Sequence, residues 1–275
     1  MEIRSPSGHI YVIGNELGHT EKFRFYQCTA ESSPACILKI ARQAIWNGLL
    51  DREAFILQLL AEGALELESE YEKVKENDKK LNYHFFFPKI IETFIAKEQE
   101  NSRISIMSFA HLADNLSELT PLSHLISREN VYVDPRTSAW IMGKLLTLIN
   151  FIQGEKILIN DLSGDNIFIN RREHYVTIFD WTSAALNIGG VSKYLIADRI
   201  AQIAKGTIRL LGGNPTTKKL PESPQLIGNN YEAYLAELSA GKISSAKEAH
   251  QRFYDLVLSA WPREFYQFTT IKKED

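Results

Sequence analysis

The most informative part of the chain is Ile157–Trp181, which reads ILINDLSGDNIFINRREHYVTIFDW. Its pattern predicts an apolar strand, a polar loop that contains Asp161 and Asn166, and a β-hairpin that turns near residues 171–174. The second strand of the hairpin is apolar and ends at Asp180. The strands therefore direct two carboxylates and an amide to one place, and such oxygen ligands suit a hard cation such as Mg²⁺ better than zinc or copper. This combination is typical of phosphoryl transfer.

The spacing D-L-x-x-x-N, followed a hairpin later by an apolar strand and D-W, resembles the catalytic loop and the metal-binding DFG motif of the protein-kinase-like superfamily. The resemblance implies that Asp161 accepts or orients the proton of the substrate hydroxyl group. It also implies that Asn166 binds one Mg²⁺ and that Asp180 binds Mg²⁺ bridging the nucleotide phosphates. The alternative is a surface hairpin with ordinary turn residues, but the strand–loop–strand context that the motif requires is predicted here.

The N-terminal part of the chain is predicted to open with a meander of short strands, Ile10–Ile13, Phe23–Cys28 and Ala35–Ile40. Lys39 lies near the end of the third strand, and Glu53 lies in the helical pattern that follows it, Leu49–Leu60. A lysine in such a place is commonly an edge residue whose amine reaches water. By the resemblance, CILK corresponds to the VAIK strand of kinases, so Lys39 would hold the nucleotide phosphates and Glu53 would hold Lys39.

The glycine-rich loop is where the chain departs furthest from the family. Kinases place G-x-G-x-x-G between their first two strands, because glycine lets the backbone approach the phosphates closely. Here the run keeps Gly18, while Thr20 and Phe23 occupy the other two glycine positions. Phe23 could fold inward as a lid or turn outward into solvent, and we expect an open site that still binds ATP.

Two further strands are predicted, one after Pro88 and one over residues 103–109. In the family the second of these ends at the hinge that binds adenine through its backbone, so the resemblance makes Met107 the gatekeeper; ordinary core packing is the alternative. The nucleotide-binding residues that the resemblance implies are Leu17, Gly18, Thr20, Lys39, Met107, Ser108, Phe109, Ala110 and Phe168.

The second half of the chain is predicted to be mainly helical. One helix begins at Asp134-Pro135, where Asp is an N-cap and Pro occupies the first turn, and it ends at Gly154. Further helical patterns cover Tyr194–Pro215, Asn230–Leu238 and Ser245–Trp261. By the resemblance, Asp198 supports the catalytic loop; a charge on a helix surface is the alternative.

Several departures from protein kinases point toward relatives that phosphorylate small molecules. Ile159-Asn160 replaces the usual His-Arg, so we do not expect switching through a phosphorylated activation loop. Ser163 replaces the usual Lys. D-L-S-x-D-N in this form looks more like bacterial aminoglycoside kinases and choline kinases. The interval between Asp180 and Asp198 is short and contains no A-P-E motif, so the usual platform for a peptide substrate is missing or supplied differently.

Composition excludes other broad classes. The chain has 275 residues, of which 44% are hydrophobic, and a net charge of −3, so it lacks the general basic character of nucleic-acid-binding proteins. Its first residues, MEIRSPSGHI, lack the apolar run of a secretory signal, and no stretch approaches the ~20 apolar residues needed to span a membrane, so we expect a cytoplasmic protein. Cys28 and Cys36 are the only cysteines; we interpret them as reduced core residues, although a single bridge between neighbouring strands is possible.

The sequence therefore predicts an α+β, bilobal protein-kinase-like fold in a single domain, 1–275. Residues 1–108 would form a small antiparallel β-sheet N-lobe with one helix, and residues 109–275 a mainly helical C-lobe. The predicted function is transfer of the γ-phosphoryl group of ATP, with Mg²⁺, to a hydroxyl acceptor on an unidentified protein or small molecule, with no nucleic-acid or membrane partner. One alternative is a pseudokinase, favoured by bulky Ile37, Phe168 and Phe179 near the expected adenine site. The other is a small-molecule kinase.

Overall fold

The computed structural model describes residues 2–30, 33–75, 80–221, 228–262 and 264–273. The chain divides into two compact units, Met1–Leu119 with Thr177–Ala185, and Thr120–Val176 with Leu186–Asp275. Within the described ranges, no helix is both long enough and apolar enough to cross a lipid bilayer.

An antiparallel sheet of six strands dominates the first unit, in the spatial order β1-β2-β3-β4-β6-β5. Its strands are β1 (Glu2–Arg4), β2 (Ile10–His19), β3 (Phe23–Ala30), β4 (Ser33–Ala41), β5 (Lys89–Ala96) and β6 (Ser102–Ser108). The predicted meander is therefore present as β2, β3 and β4. The sequence did not predict β1, which is too short to show an alternating pattern.

One face of this sheet forms an apolar core, because side chains alternate between the two faces along each strand. The buried residues on this face are Tyr11, Ile13, Cys28, Cys36, Leu38, Phe94, Ala96, Ile104 and Ile106. Cys28 and Cys36 are direct neighbours across β3 and β4, and both are free, buried thiols. They occupy core positions, as the sequence interpretation favoured.

The helix of the first unit is α1 (Asn47–Val74), which packs against β5 and β6. It extends beyond the predicted segment Leu49–Leu60, because the Glu- and Lys-rich stretch after Leu60 continues the helix. Its buried residues recur at helical spacing and include one charged side chain: Leu50, Glu53, Ile56, Leu57, Leu60, Gly63 and Ala64.

The second unit is mainly helical, as predicted. Its helices are α2 (Leu122–Ser127), α3 (Pro135–Gly154), α4 (Lys193–Leu210), α5 (Gly228–Ser239) and α6 (Ala246–Ala260). Asp134 caps α3 by accepting a hydrogen bond from the Thr137 N–H at 2.8 Å. Helix α3 packs against α4 and α6, and α4 also packs against α5.

The remaining strands are short. They are β7 (Leu119–Pro121), β8 (Val131–Val133), β9 (Ile157–Leu158), β10 (Ile167–Asn170), β11 (Tyr175–Ile178), β12 (Ala185–Leu186) and β13 (Thr270–Lys272). Strands β10 and β11 form the predicted hairpin around residues 171–174. The C-terminal β13 pairs with β8, which fixes the end of the described chain on the second unit.

Candidate functional site

Lys39 in β4 is the centre of a buried cluster of charges in the first unit. Its Nζ donates hydrogen bonds to Oε1 and Oε2 of Glu53 at 2.8 and 2.9 Å. It also donates to Oδ1 of Asp180 at 3.0 Å. The side chains of Lys39 and Glu53 are completely buried, whereas that of Asp180 keeps 21% of its surface exposed. The structure thus brings together three residues predicted from motifs that lie far apart in the sequence.

The local fold explains this meeting. Leu38 belongs to the apolar core on one face of the sheet, so Lys39 points to the other face. Glu53 belongs to the buried residues of α1, and Asp180 follows directly after β11 and Phe179. Isolated charges at such depth would be costly, and mutual pairing compensates for the lost hydration.

The two carboxyl groups respond differently to this environment. Burial raises the pKa of Glu53, and the Lys39 ammonium only partly opposes that rise. Burial also acts to raise the pKa of Asp180, but attraction to Lys39 and hydrogen bonds from Thr182 outweigh it and hold that pKa below its ordinary value. Asp180 therefore carries its charge at neutral pH, which is the form that binds a cation.

The sequence analysis missed two residues that complete the cluster. The backbone N–H of Trp181 donates to Glu53 Oε1 at 2.9 Å, and the Thr182 N–H and hydroxyl donate to Asp180 Oδ1 at 2.8 and 2.5 Å. These residues replace the Phe-Gly of the family motif. The contact of Thr182 could have been predicted from its position two residues after Asp180, since a Ser or Thr hydroxyl readily donates a hydrogen bond to a nearby acceptor.

Two phenylalanines cover the Lys39 amine. Its Nζ lies 4.9 Å from the centre of the Phe23 ring and 5.4 Å from that of Phe25. Phe23 is only 2% exposed. The expected open arrangement of Phe23 is therefore wrong for this structure, because the ring gains both apolar burial and a cation–π contact by turning inward.

The loop that should approach the phosphates is a tight turn between β2 and β3. Thr20 Oγ1 accepts hydrogen bonds from the N–H groups of Lys22 and Phe23 at 3.2 and 3.0 Å, so threonine stabilises the turn where the family has glycine. Gly18 lies within β2 opposite Phe25, and Leu17 is 49% exposed. The strands thus extend almost to the tip of the hairpin.

The predicted hinge lies at the end of β6. Met107 is fully buried opposite Ile37 on β4. Phe109 is also fully buried, and its ring stacks on Phe179 at 5.7 Å between centroids. Ala110 is exposed and its N–H donates to Ser108 Oγ at 3.3 Å.

An aromatic row therefore runs through the first unit. Phe179 lies 5.4 Å from Phe25 between ring centroids, in addition to its stacking on Phe109. This row joins the rings over Lys39 to the predicted hinge. Phe168, the other predicted residue of the adenine site, belongs to β10, where it is half-buried.

The predicted catalytic loop lies in the second unit. Asp161 is exposed, and its Oδ1 accepts a hydrogen bond from the Ser163 N–H at 3.0 Å. Asn166 is buried, and its Nδ2 donates to the backbone oxygen of Asp161 at 3.0 Å. The Asn166 amide therefore holds the loop in a shape that presents the Asp161 carboxylate outward.

Support from α4 reaches this loop through Arg199 rather than directly through Asp198. The Arg199 guanidinium donates to the carbonyl oxygen of Asn160 at 2.8 Å. Asp198 Oδ2 accepts from Arg199 at 2.7 Å and from Gln202 at 3.1 Å, so it orients the arginine. The expected role of Asp198 is thus corrected to an indirect one, because its carboxylate bonds with its own helix.

A cavity of about 540 Å³ adjoins the catalytic loop within the second unit. Asp161, Ser163 and Asp165 line one side, and Lys205 and Arg209 of α4 line another. Its walls thus combine carboxylates, a hydroxyl and cations with apolar side chains. A small polar molecule in this cavity could make polar contacts with the charged and hydroxyl groups and apolar contacts with the remaining wall.

The oxygen donors fit the chemistry of Mg²⁺. The described residues contain no group of three His, Cys, Asp or Glu side chains that could hold a metal ion by itself. Mg²⁺ is, however, usually held by one or two protein carboxylates together with substrate phosphates and water. Asp180 of the first unit, whose side chain keeps 21% of its surface exposed, would supply such a carboxylate.

Comparisons with known proteins bear on the fold. No protein-family profile and no curated protein sequence matches this chain. Among solved structures, that of vaccinia related kinase 3 aligns with a TM-score of 0.64 over 94% of this chain and 90% of that chain, at 13% identity. The crystal structure of Rad53 1-466 in complex with AMP-PNP aligns with a TM-score of 0.57 over 87% of this chain and 60% of that chain, at 17% identity.

These likenesses confirm the predicted fold class. The chain is an α+β protein with the fold of protein kinases, in which an antiparallel sheet with one helix precedes a mainly helical part. Sequence identities of 13% and 17% support a shared fold but do not assign an activity to this chain.

Replacing Lys39 tests whether the charged cluster is a mutually dependent unit. We expect Lys39→Met to lower the free energy of unfolding by about 3 kcal/mol or more, because Glu53 is left as a buried carboxylate without a cation. The double variant Lys39→Met with Glu53→Gln should regain much of this loss, since the glutamine side chain is neutral and can still accept the Trp181 N–H. Urea unfolding measures both variants, and losses that simply add would contradict the coupling.

Proposed function

We propose that this chain is a Mg²⁺-dependent phosphotransferase that transfers the γ-phosphoryl group of ATP to a hydroxyl acceptor, in the manner of serine/threonine protein kinases. The observation that carries the proposal is the contact of Lys39 with both Glu53 and Asp180. A cytoplasmic location, where ATP is supplied, is part of the proposal.

The burial of Lys39 and Glu53 supports a functional role for these residues, because a buried ion pair contributes little net stability to a fold. Apolar residues of similar size in place of a buried ion pair are often neutral or stabilising. A lysine amine on β4, with an ionised aspartate beside it, suits the binding of phosphate and a divalent cation.

Each residue then has a distinct task. Lys39, oriented by Glu53, would hold the nucleotide phosphates, and Asp180 with Asn166 would hold Mg²⁺. The bound cation would neutralise charge that develops on the phosphoryl group. Asp161 would accept or orient the proton of the acceptor hydroxyl, and its exposed position on a loop fixed by Asn166 and Arg199 favours this role.

The position of Phe23 limits the access of nucleotide phosphates to Lys39. Lys39 has no exposed surface while the Phe23 ring lies over it. Nucleotide phosphates therefore reach the amine only after Phe23 moves away, and the free energy of that movement is subtracted from the affinity for ATP. The same observation favours a pseudokinase as the second candidate, in which the Phe23 ring stays over Lys39 and nucleotide does not bind there.

The nature of the acceptor is a separate question. The cavity beside Asp161 and the brief segment of residues 181–192 between Asp180 and α4 support a small-molecule kinase as the alternative to protein kinase-like activity. The D-L-S-x-D-N similarity to aminoglycoside and choline kinases favours the same acceptor class.

Removal of the Phe23 ring should strengthen nucleotide binding. We expect Phe23→Gly to bind ATP with Mg²⁺ at least about tenfold more tightly than the parent, because burial of a phenylalanine side chain contributes on the order of 1.5–3 kcal/mol. Phe23→Leu is the matched control, since it keeps an apolar side chain at the turn and should change the affinity less. Isothermal titration calorimetry measures all three proteins.

The outcomes separate the candidates. Binding by the parent that tightens in Phe23→Gly supports the kinase proposal, and binding that appears only in Phe23→Gly favours the pseudokinase. Absence of Mg²⁺-dependent binding in both proteins contradicts a nucleotide site at Lys39. Asp180→Asn should abolish the Mg²⁺ dependence in each case.

Asp161 should matter for turnover rather than for nucleotide affinity. We expect Asp161→Asn to lower kcat by about 10²-fold or more and to leave the ATP dissociation constant nearly unchanged, because a base acts on the acceptor. Glu173→Gln is the control and should keep the parental kcat, since Glu173 is an exposed carboxylate of the β10–β11 turn that does not line the cavity beside Asp161.

Assays with a hydroxyl-rich protein, an aminoglycoside and choline would distinguish the acceptor classes. Equal losses of turnover and ATP affinity in Asp161→Asn would assign Asp161 a structural role.

A further inference from the structure

A cavity of about 370 Å³ lies in the second unit between α3, α6 and the C-terminal segment, which here means residues 262 and 264–268. Its volume falls in the range of roughly 300–1,000 Å³ that small-molecule sites occupy. Aromatic side chains supply much of its wall: Trp140, Phe253, Tyr254, Trp261, Phe265 and Phe268. The proposed phosphotransferase chemistry uses none of these residues.

The cavity is held open by polar contacts at its rim. Arg136, near the start of α3, donates to the backbone oxygen of Pro262 at 3.0 Å and to Glu264 Oε1 at 3.3 Å. Tyr266 donates its hydroxyl hydrogen to Asp134, and the Thr269 N–H donates to Thr137 Oγ1 at 3.0 Å. Polar contacts therefore hold the C-terminal segment on α3, in addition to the ring contact of Phe268 with Trp140.

Lys144 is a positively charged residue in the wall of this largely aromatic cavity. It lines the cavity from the middle of α3, and burial lowers the pKa of its ammonium group. Lys144 is half-buried, and its side chain makes no hydrogen bond or ion pair with the described residues. Its ammonium group therefore has no counter-ion within the described protein and can pair with an anionic group in the cavity.

The carboxylates around the cavity are already engaged. Glu264 pairs with Arg136, and Asp134 accepts hydrogen bonds from Thr137 and Tyr266. Glu173, which precedes the cavity residue His174, pairs with Arg172. Thus no acidic side chain of the described cavity wall neutralises Lys144.

His174 adds a second unsatisfied nitrogen. Its ring stacks between Phe265, at 4.7 Å between centroids, and Trp140, at 4.8 Å. Its Nε2 is buried and has no hydrogen-bond partner among the described residues. Lys144 lies one helical turn after Trp140 on α3, and Lys144 and His174 line the same cavity, so both nitrogen-bearing side chains border one space. Both can donate to an oxygen atom.

We propose that this cavity is a second binding site that takes a small apolar carboxylic acid, with its carboxylate on Lys144 and His174 and its apolar body among the aromatic rings. One ammonium group matches one carboxylate charge, whereas a phosphate group would call for more positive charge. The aromatic walls favour an organic tail over an inorganic anion. Aryl-alkanoic acids and medium-chain fatty acids share this chemistry.

The test compares acids with their uncharged amides. Calorimetric titration with 3-phenylpropanoate and with octanoate should show saturable binding of at least one acid. The matching amides should bind about tenfold or more weakly, because a charge-assisted hydrogen bond is lost. Preference for 3-phenylpropanoate would indicate an aromatic metabolite, and preference for octanoate a fatty acid.

Variants of the cavity locate the binding. Lys144→Gln should remove the preference for acid over amide, while Lys247→Gln, on an exposed position of α6, should keep it. Gly143→Leu should abolish binding of each acid and of its amide, because Gly143 lines the cavity and a leucine side chain would occupy part of its volume. Leucine is also favourable in a helix, so α3 should still form. Circular dichroism verifies that each variant is folded.

Any of several results would overturn the proposal. These are no saturable binding of either acid at millimolar concentration, equal affinity for acid and amide, parental affinity in Lys144→Gln, or undiminished binding in Gly143→Leu.

Discussion

The ion pair between Lys39 and Glu53, extended to Asp180, is the interaction on which the first unit depends. It ties β4 to α1 and ties both to the segment that follows β11. Because Lys39 and Glu53 have no exposed surface, water cannot replace either partner. The Trp181 N–H and the Thr182 hydroxyl satisfy further lone pairs of the two carboxylates, so the cluster fixes the backbone around Asp180 as well as the side chains.

Much of this arrangement could be predicted from the sequence, because the motifs occur in a fixed order and each matches its local structure. The strand containing Lys39, the helix containing Glu53 and the hairpin before Asp180 were all identified by hydrophobic periodicity. The contacts themselves required the structure. That Asp198 acts through Arg199 depends on which neighbouring polar group an exposed carboxylate meets on its own helix, and periodicity does not contain that information.

Phe23 illustrates the same limit for an apolar residue. The sequence shows that phenylalanine replaces a glycine, but its pattern allowed two orientations of the ring, and the open arrangement was the one expected. The inward orientation is favoured by burial of the ring and by its contact with the Lys39 amine, both of which depend on the neighbouring strand. The cavity beside Lys144 was also unpredictable, since it is built by residues of α3, α6 and the C-terminal segment that share no sequence motif.

The central claim is that nucleotide phosphates reach Lys39, and covalent labelling tests it most directly. An ATP analogue with an acyl phosphate in place of its terminal phosphate transfers its acyl group to a lysine amine that lies against the phosphates, and mass spectrometry of peptides identifies the modified lysine. We predict Mg²⁺-dependent modification of Lys39 that excess ATP prevents. Modification of surface lysines alone, with Lys39 untouched in both the parent and Phe23→Gly, would contradict the account.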